Sequence, residues 1–314
     1  MIEKSIETLP VNRRKFLLTQ LQTALALALG PSVIWSARKV MAAGLPDIAV
    51  AEGGPAAATR AAVNLLGGMG AFVRPGQKVV IKPNMSFDSR GESASNTHPE
   101  VVRELVAMCQ EAGAGRVRVL DHTLRSKEQC IEGVKTACSV FDGDIVQGLD
   151  RERFFRPTPI PQGETFKQTD VMGDVLDSDV LIAAPVAKSH GSTGVSLSMK
   201  GMMGLIYDRG IMHYRYDLSP AIVDLATVLK PQLVVVDASR VLTTNGPAGP
   251  GKVIEPGQVI ASRDMVAADA QVVASFPWYG RRMQPRQVKH IRLAHERRLG
   301  RMDIENLIIR RVKA

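Results

Sequence analysis

Aromatic residues are scarce: Phe, Trp and Tyr together make up 4% of the 314 residues. The core must therefore be built from Val, Leu, Ile, Ala and Met. A basic groove interleaved with stacking aromatics is missing, so no nucleic-acid partner is expected. The formal charge of +9 does not argue otherwise. Residues 1–42 hold six Lys/Arg and two Asp/Glu, and without them the charge falls to +5. Cysteine is equally sparse. Cys109, Cys130 and Cys138 offer no C-x-x-C pair, so no intrinsic iron–sulfur cluster is expected. Cys130 and Cys138 lie two helical turns apart, about 12 Å, too far for a disulfide. There is no H-E-x-x-H metal motif and no G-x-S-x-G nucleophile elbow. Gly246–Lys252 has the spacing of a phosphate loop. However, Val253 stands where Ser or Thr would hold magnesium, and Pro247 and Pro250 remove N–H donors, so it reads as a rigid loop.

The first 43 residues carry a separate signal. Asn12-Arg13-Arg14-Lys15-Phe16-Leu17 resembles the twin-arginine export motif. A moderately apolar stretch follows, Leu17 to Ala37, and then small residues around Val40-Met41-Ala42 that suit cleavage near Ala43. Thr19, Gln20, Gln22 and Thr23 make the stretch too polar for a clear membrane span. The twin-arginine translocase is the partner this implies, and a periplasmic or otherwise exported location follows. A retained N-terminal anchor is the competing reading. The pathway carries folded proteins, many with cofactors; it names no cofactor here.

From residue 44 the chain reads as one α/β domain. Strands are expected at Asp47–Ala51, Lys78–Lys82, Arg116–Leu120, Asp179–Ala184, Leu233–Val236, Gln258–Ala261 and Leu307–Arg311. Helices are expected at Pro55–Leu66, Pro99–Glu111, Ser126–Cys138, Val195–Ile206, Pro220–Leu229, Asp264–Ser275 and Gln284–Arg298. The strands are continuously rather than alternately apolar. That predicts a largely parallel sheet with helices on both faces. The irregular stretch around 142–170 reads as a small subdomain or an extended arm.

Five strands stop in ionisable or amide side chains: Lys82 and Asn84; Asp121 and His122; Lys188, Ser189 and His190; Asp237 and Ser239; Ser262 and Asp264. If the strands are parallel, these ends share the edge where open α/β sheets bind ligands. Wet loops alone explain one or two such ends less strainedly than five. The segment after Lys188 adds Lys200, Arg209 and His213. Lys188, Lys200 and the N–H groups opening the expected 195–206 helix would together seat an anion. The expected catalytic set is Lys188, His190, His213, Asp237 and Asp264. The expected substrate-binding set is Lys82, Asn84, His98, Lys200, Arg209 and Asn245. His290 and His295, on the basic C-terminal helix, read as surface residues.

Lys82-Pro83-Asn84, Thr97-His98-Pro99, Lys188-Ser189-His190, Lys200-Gly201 with Gly204, Arg209 with His213, Asp237, Asn245-Gly246-Pro247 with Gly251, and Ser262-Arg263-Asp264 with Asp269 together resemble the domain-of-unknown-function 362 family. The resemblance implies membership and no particular reaction. Many relatives carry a cysteine-ligated ferredoxin-like module, whose cysteines this chain does not have. Two functions are expected to compete: an enzyme acting on a small anionic, carboxylate-like substrate, and a non-catalytic binding or accessory protein for a cell-envelope redox or metal-cofactor pathway. Metal identity and oligomeric state are left open.

Overall fold

The computed structural model describes residues 44–88 and 93–314. The export-signal segment, residues 1–43, lies outside the described residues. Pro46–Ala314 forms one compact unit. Among the described residues no helix is long and apolar enough to cross a membrane.

The fold is mixed α/β around a large, mostly parallel sheet. In chain order the strands that build it are β1 (Ile48–Glu52), β2 (Lys78–Pro83), β3 (Arg116–Asp121), β4 (Val146–Gly148), β7 (Val180–Ala184), β8 (Val186–His190), β9 (Gly194–Ser196), β10 (Leu233–Leu242), β11 (Val253–Ile254), β12 (Gln258–Ser262) and β15 (Ile309–Lys313). Two small antiparallel pairs lie apart from it: β5 (Phe155–Pro159) with β6 (Gln168–Met172), and β13 (Pro277–Trp278) with β14 (Arg281–Arg282). The main order is β15-β1-β12-β10-β7-β2-β3-β4. The run β10-β7-β2-β3-β4 is parallel throughout.

The helices of eight or more residues are α1 (Pro55–Leu65), α2 (Pro99–Glu111), α3 (Lys127–Ala137), α4 (Leu218–Ala226), α5 (Met265–Ser275) and α6 (Lys289–Glu296). They cover both faces. Val180, Ile182 and Ala184 of β7 pack with Ala62 of α1, Leu105 of α2 and Ile131 of α3. Leu181 and Ala183 pack on the other side with Ile222 of α4, Val272 of α5 and Ile291 of α6. A strand buried on both faces has to be apolar at every position, which is why β7 reads VLIAA. The 142–170 stretch is neither arm nor independent unit. Its β5–β6 hairpin buries Phe155, Ile160, Phe166, Val171 and Met172 in the second of these cores.

Two expected features differ. β12 runs antiparallel to both β10 and β1. A parallel neighbour needs a crossover, usually a helix. Residues 243–257 supply only β11 and Gly/Pro-rich turns, so the chain folds straight back. The expected helix over 195–206 is also absent. Its place is taken by β9, one helical turn (Ser198–Gly201) and a 3-10 turn (Met202–Leu205). Hydrophobicity at Val195, Leu197, Met199, Met202 and Met203 reflects burial from several sides, not one helical stripe.

Candidate functional site

The parallel strands deliver their C-terminal ends to one edge. There Lys82 is the penultimate residue of β2 with Asn84 just beyond Pro83, and Asp121 ends β3. β7 breaks at Pro185 and resumes as β8, which pairs with both β10 and β9. Lys188 and His190 therefore sit on a strand and not in a loop. The following turn brings Lys200 back, and the segment after it supplies Arg209 and His213. A cavity of about 340 Å³ is lined by Lys82, Asn84, Lys188, His190, Lys200, Arg209 and His213, with Pro247 of the rigid Gly/Pro loop among its walls.

Lys82 is 2% exposed and Asp121 is wholly buried. They form an ion pair, Nζ to Oδ1 at 3.0 Å. Asp121 Oδ2 accepts from the Met85 N–H at 2.7 Å and the Ser86 hydroxyl at 3.0 Å. Burial lowers the Lys82 pKa, Asp121 opposes the shift, and Arg209 adds to it. Lys188 donates to the Ser95 carbonyl and lies 4.8 Å from the Phe87 ring centroid. Burial, and then the charge of Lys82, bring its pKa down to about 7. Lys200 is also lowered to about 7, by burial and by Arg209 and Lys82. Among the described residues its ammonium has no hydrogen-bond or ion-pair partner. Arg209 donates to the His122 carbonyl at 2.6 Å. Its guanidinium keeps its charge at any working pH.

His190 is buried, and its ring stacks 6.0 Å from that of the exposed His213. Burial and the charge of Lys200 push its pKa down to about 3, so it is neutral near pH 7. Its Nδ1 accepts from the Ser192 N–H at 3.2 Å, which assigns the ring proton to Nε2. The cavity thus gathers Lys82, Lys188, Lys200 and Arg209 with no carboxylate among its described lining residues, and Asp121 compensates Lys82 from outside that lining. Such an excess is costly to bury without an anion.

Four expected site residues do not line this cavity. Asp264 follows β12, whose antiparallel course carries it to the opposite edge. There it caps α5, accepting from the Val266 and Ala267 N–H groups at 2.8 and 3.1 Å, and also from Arg301 N–H at 2.7 Å. Asp237 is wholly buried. Its oxygens accept from His98 N–H at 2.7 Å and from the Ser239 N–H and hydroxyl, tying α2 to β10. His98 caps α2 through Nδ1 and lines a neighbouring cavity of about 260 Å³. Asn245, at φ 55°, braces its own loop through a 3.3 Å bond to the Pro250 carbonyl.

The helix-terminus part of the expected anion seat is already occupied by protein. The Ser198 and Met199 N–H groups donate to buried Asp269 at 2.9 and 3.0 Å. Any anion in the cavity is therefore met by side chains. Gly204 has a steric reason. A methyl there would stand 2.7 Å from Lys82 Cε and closer still to Asp121 Oδ1. Two residues outside the expected sets matter. Asp121 was legible as a strand end but not as the partner of Lys82. His290, expected at the surface, is fully buried, and among the described residues neither ring nitrogen has a hydrogen-bond partner. Its position on a basic helix hid that: α6 turns Ile291, Ala294 and His290 inward.

A larger, open groove of about 660 Å³ runs along the C-terminal segment. Arg282, Arg286 and Arg311 there share the lining with Asp303 and Glu305. Its charges are mixed, so the smaller cavity is the candidate site. Among the described residues no three His, Cys, Asp or Glu side chains are grouped to hold a metal ion.

Fold and site together define an α/β protein with a cation-lined cavity at the parallel strand ends. The chain belongs to the DUF362 family, a domain of unknown function, whose model matches residues 79–274. A thylakoid-associated protein of Synechocystis sp. is 27% identical over 222 residues, 68% of this chain and 67% of that one. Two solved structures show weaker likeness. One, from Thermotoga maritima, has a TM-score of 0.41 at 12% identity and matches 71% of this chain. The other, the lactate racemase apoprotein of Thermoanaerobacterium thermosaccharolyticum, has a TM-score of 0.44 at 11% identity and matches 72%. This chain spans 55% and 56% of their lengths.

Proposed function

We propose that this protein is an enzyme acting on a small carboxylate-type anion in the cavity at the ends of β2, β3 and β8. The observation that carries this is the charge balance: Lys82, Lys188, Lys200 and Arg209 line a cavity of about 340 Å³ whose described lining holds no carboxylate, and of the four Lys82 is paired, with Asp121. Arg209 gives a fixed positive charge for the carboxylate. Lys188 and Lys200, both near pKa 7, exist in both protonation states at neutral pH, as a group that moves protons requires. His190 stays neutral and offers an N–H without adding charge.

The test is titration calorimetry of the full chain with oxalate, succinate and pyruvate across salt concentration. Binding should weaken with added salt and fall at least tenfold in Arg209→Met. Binding indifferent to salt and to Arg209 would overturn the reading. A non-catalytic binding or accessory role predicts the same binding with no turnover of any carboxylate.

Export through the twin-arginine route is part of the same proposal. It rests on Arg13-Arg14 before Phe16-Leu17. The relative named as thylakoid-associated is compatible with residence near a membrane. Replacing both arginines with Lys should retain the protein in the cytoplasm on fractionation. Unchanged delivery would refute the route.

A further inference from the structure

We infer that Lys200 is a nucleophile that condenses with the carbonyl of a 2-oxo acid held in this cavity, forming an imine. The inference rests on the carboxylate-binding reading above and narrows the substrate to acids with an adjacent carbonyl. Three lysines share the cavity, and two are engaged. Lys82 Nζ is held by Asp121 and by the Pro83 carbonyl. Lys188 Nζ is held by the Ser95 carbonyl, with its charge against the Phe87 ring. Among the described residues Lys200 alone of the three has no partner for its nitrogen, and that nitrogen belongs to a residue lining the cavity. A carbonyl carbon needs such an unspent lone pair.

The surroundings keep the amine in its reactive form. Burial and the cations Arg209 and Lys82 disfavour its ammonium, leaving a substantial neutral fraction at pH 7. On the remaining sides stand His190 and buried His290, both neutral near pH 7, and exposed His213; Asp121 is committed to Lys82. The substrate carboxylate would lie against Arg209. In the step, the Lys200 nitrogen bonds to the carbonyl carbon and the carbon–oxygen double bond breaks. The oxygen leaves as water with the two protons of the amine, so no oxidant or reductant is consumed. His190 Nε2–H is the donor available to the departing oxygen.

The experiment incubates the full-length protein with pyruvate and cyanoborohydride, then maps modified lysines by mass spectrometry, with calorimetry of pyruvate and succinate alongside. One reduced pyruvyl adduct per chain is expected, on the peptide holding Lys200. It should saturate with pyruvate, be blocked by succinate, form at a rate rising through pH 7, and vanish in Lys200→Met. Lys200→Arg keeps the charge and should bind succinate yet form no adduct. Pyruvate binding without an adduct on Lys200, or an adduct on Lys188 instead, overturns the imine and leaves the anion site standing. Failure of both acids to bind overturns both.

Discussion

Lys82 on β2 and Asp121 on the neighbouring β3 form a buried ion pair, and Gly204 lies against both. Each charge needs the other. Asp121→Asn should leave Lys82 uncompensated and destabilise the protein by about 3–5 kcal/mol, as removal of one buried partner does. Adding Lys82→Met to that variant should recover much of the loss. Thermal or urea denaturation of the two singles and the double measures this. Additive losses would mean that the pair is not coupled.

The same contact leaves no room for a side chain at Gly204. Gly204→Ala forces a methyl into Asp121 and Lys82. It should cost more than the roughly 1 kcal/mol typical of point substitutions and weaken oxalate binding as well. Loss of stability alone, with full anion affinity in the folded fraction, would show that the pair does not shape the cavity.

Asp264 and Lys200 separate architecture from chemistry. Asp264→Ala removes the cap of α5 and an acceptor for Arg301, and should cost about 1–2 kcal/mol, with anion binding unchanged. Lys200→Met removes a cation from a cluster of like charge. It should leave stability equal or higher and abolish carboxylate turnover. Calorimetry and melting curves on both variants make the comparison, and reversed outcomes would refute it.

Much of this was legible in residue order. Runs such as VVI at 79–81, VLIAA and LVVV are apolar at every position because both sheet faces are covered, and their lengths and the intervening helices gave the fold class. Lys82, Lys188, His190, Lys200, Arg209 and His213 were placed in one neighbourhood because parallel strands share an edge. Asp264 went astray because strand direction is set by the connection, and the 243–257 segment lacks the helix a parallel return needs. Asp237 was misplaced for another reason. It does end the apolar run of β10, but a buried carboxylate facing the open N-terminus of α2 is consumed as a clamp on His98 N–H. Side-chain direction at a strand end is a tertiary property that no local pattern encodes.

His290 makes stability depend on pH on the acid side. It is fully buried with no hydrogen-bond partner among the described residues, and burial, with Lys200 nearby, lowers its pKa to about 3. In the unfolded chain it should titrate near 6.5. Between those values the unfolded state binds the extra proton, so stability rises with pH through this window and is lost as pH falls from about 6.5 toward 3. His190, also lowered to about 3, contributes in the same direction. Each fully effective group gives a slope of up to about 1.4 kcal/mol per pH unit. His290→Met fills a similar volume, removes the titration and removes an orphaned polar group worth about 1–3 kcal/mol. Denaturant midpoints from pH 4 to 8 should therefore show the variant more stable at every pH and with a shallower acid slope than the parent. A parallel pair of curves would mean that His290 finds a proton acceptor on folding, and a less stable variant at pH 8 would mean that its ring is satisfied after all.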